Sequence, residues 1–121
     1  MKEFMLLIRT QGDHIEGLSP EEQQQHIQKV TNYIGSLMKD GKLKGAQPLE
    51  MQEGKIISAS KGNFKDGPFN ETKEVIAGYF LITAKNLEEA IDIAKANPIF
   101  ETGTGATIEV RSIKVVEGIN G

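Results

Sequence analysis

Two stretches of this chain carry apolar side chains on both faces, and neither can be left wet. Phe4-Met5-Leu6-Leu7-Ile8 is an unbroken apolar run inside a strand predicted from Glu3 to Arg9. Glu74 to Ala84 is the longer one. Alternation puts Val75, Tyr79 and Leu81 on one face and Ile76, Phe80 and Ile82 on the other, with Gly78 disturbing neither set. An antiparallel sheet with one face in water ordinarily reads polar on that face. Two doubly apolar strands therefore demand cover on both sides of the sheet.

Cover for one side is visible in the sequence. Ser19-Pro20-Glu21-Glu22 has a capping serine, proline at the first helical position and glutamate three residues after the cap. Ile27, Val30, Ile34, Leu37 and Met38 follow on one stripe, and Gly41 stops the helix. Asn86, with Glu89 three residues on, starts a second helix whose stripe is Leu87, Ala90, Ile91 and Ala94; Asn97-Pro98 ends it.

Leu43 to Met51 reads as an edge strand, because Pro48 cannot donate a ladder hydrogen bond. Glu53-Gly54 offers a turn from it into a short arm, Lys55 to Ser60. Gly62 to Asn70 reads as loop around Asp66-Gly67-Pro68. Thr107 to Val116 is a last strand, and Gly118 to Gly121 a fraying tail. The order is that of a split βαβ unit. It predicts a single α+β domain over residues 1–121, ferredoxin-like, with two helices on one face of an antiparallel sheet.

The second face then needs a partner. Leaving it wet wastes several kcal/mol at ~25 cal/mol per Å², and a second copy packed sheet on sheet is the simplest remedy. A homodimer is expected. The formal charge of −3, with no basic run, excludes a nucleic-acid footprint. The absence of cysteine removes disulfides and thiolate chemistry, and favours a reducing compartment. The run at Phe4 to Ile8 is too short for a signal peptide or a membrane span, so a cytoplasmic protein is expected. No motif calls for a metal or a cofactor.

The run Asp66-Gly67-Pro68-Phe69-Asn70-Glu71-Thr72-Lys73-Glu74 is followed by Gly78-Tyr79, Glu89-Ala90, Asn97-Pro98 and Ile108-Glu109-Val110-Arg111. In these pieces and their order the chain resembles the YCII-related family, in the branch named for its DGPF motif. The resemblance runs from the first strand to Val115. It implies a dimeric α+β barrel. It implies no single activity: relatives in the wider group are isomerases, monooxygenases or dehydrochlorinases acting on small, often aromatic molecules, and branch members often accompany alternative sigma factors. It also implies an acid–base pair, a histidine on the first helix and an aspartate before the proline that follows the second. Val30 and Asn97 stand in those places here. His26 lies one turn before Val30, and an asparagine cannot act as a base.

The candidates for chemistry follow. His26, at the edge of the helix stripe, titrates near neutrality and is the natural proton carrier; the plainer reading is a boundary histidine with its tip in water. Asp66 is the second catalytic candidate and Glu71 a ligand-binding one, beside the plainer reading of a turn signature that sets backbone geometry. Arg9, ending a strand before a long loop, could hold an anionic ligand group with its rigid fork; Arg111 reads as solvent-facing or paired with Glu109. His14, with Asp13 and Glu16, has no recognised ligand spacing and reads as solvated loop. The expected function is binding of a small organic ligand, with cofactor-free lyase or isomerase chemistry if it is an enzyme. The other reading is a non-catalytic binding or regulatory module acting through a protein partner.

Overall fold

The structure is a computed structural model that describes residues 1–12, 15–68, 74–103 and 105–121. Its strands are β1 (Lys2–Gln11), β2 (Leu43–Pro48), β3 (Lys55–Ser60), β4 (Asn63–Pro68), β5 (Glu74–Ala84) and β6 (Thr107–Ser112). Its helices are α1 (Pro20–Lys39) and α2 (Leu87–Lys95), and a 3-10 turn spans Pro98–Thr102. The main sheet is antiparallel in the order β2-β5-β1-β6, the ferredoxin-like arrangement with the two doubly apolar strands at its centre.

The core lies between this sheet and the helices. Phe4, Leu6 and Ile8 of β1 meet Phe80 and Ile82 of β5, Ala90 and Ala94 of α2, and Leu37 of α1. Leu6 and Ile82 have no exposed surface. Tyr33 of α1 sets its ring edge-on to Phe80, centroids 5.6 Å apart, and donates its hydroxyl to the Ile93 carbonyl of α2. Burial pushes the Tyr33 phenol up to about 12.

Five expectations are corrected. The first concerns α1, whose inward stripe is His26, Val30, Tyr33, Ile34 and Leu37; Ile27 and Met38 point outward, 50% and 64% exposed. In α2, Leu87 likewise faces water. The sequence could not orient these stripes, because Ile27 and His26 are adjacent and only packing chooses between them.

The second lies in β5. Its partner register jumps from Ile8↔Gly78 to Arg9↔Ile76, leaving Ala77 as the extra residue of a bulge. Val75 therefore joins Phe80 and Ile82 on the helix side, and Ile76 joins Tyr79 and Leu81 on the open side. The alternation breaks at Ala77, while Gly78 stays in phase opposite Ile8. Gly78 also lies so close to the edge strand that a Cβ would stand 2.8 Å from the Gln47 carbonyl oxygen.

The third concerns β3, which does not pair with β2 through Glu53-Gly54. It pairs with β4, read from sequence as loop, in a separate two-stranded sheet from Lys55↔Pro68 to Ser60↔Asn63. The turn is Lys61-Gly62, both at positive φ, 52° and 82°, the twist that a two-residue hairpin requires. Lysine in a left-handed conformation is uncommon, which hid the signal. Fourth, β6 ends at Ser112. Fifth, the tail is stitched down: Asn120 accepts from the Val116 amide and donates to the Lys114 carbonyl.

The open face of the main sheet carries Met5, Leu7 and Arg9 of β1 with Ile76, Tyr79 and Leu81 of β5 and Glu109 of β6, most of them half-buried. Among the described residues no helix is long and apolar enough to cross a membrane.

Candidate functional site

A cavity of about 250 Å³ opens between α1, the sheet and the 3-10 turn. Its walls come from five places in the chain. His26, Val30 and Ile34 descend from α1; Ile8 comes from β1; Ala46, Gln47 and Pro48 come from β2 and Ala77, Gly78 and Phe80 from β5; Asn97 and Ile99 close the end. The room exists for local reasons. Gly78 presents no side chain, Ala77 and Ala46 are short, and Pro48 ends the ladder between β2 and β5.

Among the described residues His26 is the only ionisable side chain in this lining. It is 8% exposed. Burial holds its imidazole below the ordinary 6.5, and the Lys29 charge acts the same way, while Glu101 pulls upward. The ring is therefore neutral at pH 7 and able to accept a proton. Asn97, buried at the far end, accepts from the Ile99 amide through Oδ1 at 2.9 Å, capping the 3-10 turn. Its amide NH₂ is the donor it can offer the cavity. Gln47 brings the other neutral amide.

Behind His26 lies a second, smaller cavity of about 150 Å³, lined by Glu22, Gln25, Lys29 and Glu101 among others, and by His26 itself. Glu22 is engaged in the capping box: Ser19 donates its backbone N–H to the carboxylate at 3.0 Å, which holds that carboxyl below its ordinary range. Glu101 pairs with Lys29 at 3.3 Å, both largely exposed.

The other sequence candidates stand elsewhere. Arg9 alternates with Ile8 and so lies across the sheet from the cavity, in an ion pair with Glu109; Arg111 reaches the same carboxylate at 3.4 Å. Asp66 is exposed on β4, opposite Ile57. The structure does not bring either to His26. Glu71 lies outside the described residues, as do Asp13, His14, Phe69 and Lys73. Among the described residues no three His, Asp or Glu side chains are grouped as metal ligands would be. Sequence reasoning missed Gln47 and Glu101. Glu101 follows Asn97 by four residues, and only the 3-10 turn brings it back toward α1.

Known proteins can now be set beside this geometry. The profile of the YCII-related domain matches residues 2–114. A 45-residue stretch is 47% identical to an uncharacterised protein of Rhizobium meliloti (strain 1021), covering 34% of this chain and 36% of that protein, so the match spans about a third of either. Among solved structures, the 5-chloro-2-hydroxyhydroquinone dehydrochlorinase TftG of Burkholderia phenoliruptrix AC1100, in complex with 2,5-dihydroxybenzoquinone, superposes with a TM-score of 0.54 at 14% identity, over 95% of this chain and 96% of that one. That likeness is one of fold.

Proposed function

Because this chain belongs to the YCII-related family, whose profile spans nearly all of it, we propose that it binds a small, uncharged, single-ring organic molecule and moves a proton on it with His26. The observation that carries this reading is a buried, neutral imidazole in the wall of a 250 Å³ cavity whose other described residues are uncharged. A cavity of ~150 Å³ suffices for benzene, so this one has room for a ring with two or three small substituents. Among the described residues the lining offers no fixed charge for an anion, and Asn97 and Gln47 offer neutral hydrogen bonds to hydroxyl or carbonyl groups. The fold relative TftG holds 2,5-dihydroxybenzoquinone, a single-ring ligand of this size. Cofactor-free lyase or isomerase chemistry is the reaction class such a base supports.

The chain works as a homodimer in the cytoplasm in this reading, and belongs to the branch marked by Asp66-Gly67-Pro68-Phe69. Met5, Leu7, Tyr79 and Leu81 on the uncovered sheet face support the dimer. Sedimentation at micromolar concentration should give twice the 13.3 kDa chain mass, and Leu7→Asp should halve it. A stable wild-type monomer rejects this part.

A thermal-shift series with phenols, hydroquinones and small lactones tests the cavity. A ligand at 100 times its Kd adds about 2.7 kcal/mol of stability. A saturable shift that His26→Gln weakens and Ile34→Trp abolishes fits the proposal; shifts indifferent to Ile34→Trp place binding elsewhere and reject it.

A second reading has its own observation. The β3–β4 hairpin exposes Ile56, Ile57 and Phe64 by 58%, 66% and 80%. Such a surface suits a module that grips a protein partner. Retention of a specific partner by the wild type, lost in Phe64→Ser with no response to any small molecule, favours it.

A further inference from the structure

We infer that Asn97 sets the chemical specificity of the 250 Å³ cavity: its side-chain Nδ2 donates to a carbonyl oxygen of the bound ring, so the site prefers cyclic ketones, lactones and quinones to rings that carry hydroxyl groups alone. This rests on the reading of that cavity as the ligand site.

Asn97 is the N-cap of the 3-10 turn Pro98–Thr102. Proline, which follows it, has no N–H. Ile99 therefore carries the first amide of the turn that needs an acceptor, and Oδ1 of Asn97 takes it at 2.9 Å. The backbone of Asn97 is equally committed. Its N–H donates to the Ala94 carbonyl at 3.1 Å, and its C=O accepts from the Phe100 amide at 3.3 Å. The bond from Ile99 also fixes which way round the side-chain amide sits, because Nδ2 cannot accept from an N–H. Nδ2 is the polar group that remains. Among the described residues no oxygen or nitrogen accepts from it. Yet Asn97 is only 5% exposed, and it forms part of the cavity wall. A buried donor without an acceptor is costly, and native structures keep few of them. An oxygen held in the cavity is the acceptor that completes this one.

The surroundings choose the kind of oxygen. Val30, Ile34, Ala77, Phe80 and Ile99 bring apolar side chains to the same wall. A hydroxyl oxygen can accept from Nδ2, but its own O–H then needs an acceptor in apolar company. A carbonyl oxygen brings lone pairs and no hydrogen. A carboxylate fits worse, because one neutral amide does not offset the loss of its hydration. Aspartate at position 97 would keep the cap on Ile99 and replace the donor with an acceptor.

The test uses probes matched in size, cyclohexanone against cyclohexanol and 4-pyranone against phenol, titrated into the ¹⁵N-labelled full chain and read by NMR. The Asn97 NH₂ pair is the side-chain signal missing in Asn97→Asp, or in Asn97→Ser, which keeps a capping oxygen, should the aspartate variant fail to fold. The ketone and the pyranone should move that pair saturably. Asn97→Asp should weaken both by roughly tenfold, and cyclohexanol and phenol by less, with the Ile99 amide signal still in its capped position. Carbonyl probes that move the Ala46 and Ala77 signals, and are blocked by Ile34→Trp, but leave the Asn97 pair still overturn the role of Asn97 while the ligand site stands. So does an equal loss for ketone and alcohol in the variant. If no probe moves the Ala46, Ala77 or His26 signals up to its solubility limit, the cavity is not the ligand site and this inference falls with it.

Discussion

The main sheet and the β3–β4 hairpin are built from similar strands and have opposite fates. β1 and β5 are flanked by strands on both edges and by helices on one face, and their inward residues are almost fully buried. Every residue of β3 is exposed, Phe64 of β4 is 80% exposed, and among the described elements the hairpin packs substantially only on itself. A two-stranded ribbon is marginal alone in water. The difference teaches that apolar content does not decide burial. Position in the topology does, since the hairpin is an insertion between the second and third strands of a sheet already complete without it.

That contrast can be broken or sharpened by measurement. Leu6→Ala at the centre of the sheet removes a side chain with no exposed surface, and should cost about 3–5 kcal/mol in urea unfolding. A cost under ~1 kcal/mol there would mean that the central pairing is not where stability lies. Gly78→Ala comes next, at about 1–3 kcal/mol, because the new methyl meets the Gln47 carbonyl oxygen at 2.8 Å and one of two backbones must yield. Tyr33→Phe should cost about 1 kcal/mol by losing the bond to Ile93.

Tyr33 also gives a pH signature. Its folded pKa of about 12 lies above the ordinary 10.0, so the unfolded chain releases the proton first. Wild-type stability should therefore fall as pH rises from 10 to 12, and Tyr33→Phe should flatten that fall. For His26 the sign is reversed, because burial lowers its pKa below 6.5: stability falls as pH drops below 6.5, and His26→Gln should remove that share. Phe64→Ala should have the smallest effect, within ~0.5 kcal/mol if the hairpin stands in water. A core-sized loss there would mean that a second chain covers it.

Much of the frame was legible from local chemistry. The Ser19 capping box, the Asn86 cap and the doubly apolar strands specify elements through rules that act within a few residues. What stayed hidden depends on contacts between distant segments. The choice of His26 over Ile27 for the inward face of α1 is made by the sheet beneath it. The bulge at Ala77 shows only once β5 is set against β1. The cavity itself is formed from pieces of α1, β1, β2, β5 and the 3-10 turn that no spacing links, which is why Arg9 and Asp66 looked as eligible as His26 and proved to stand apart from it.

Gly78 has a consequence for how such a protein can diversify. It forms cavity wall and strand contact at once, so enlarging the residue there to reshape the ligand space also pries β2 from β5. That position is closed to gradual change. Val30 and Ile34, on one exposed-backed helix, can vary in size without touching the sheet register. A lineage exploring new ligands through this fold would leave its record on the helix and keep the strand silent.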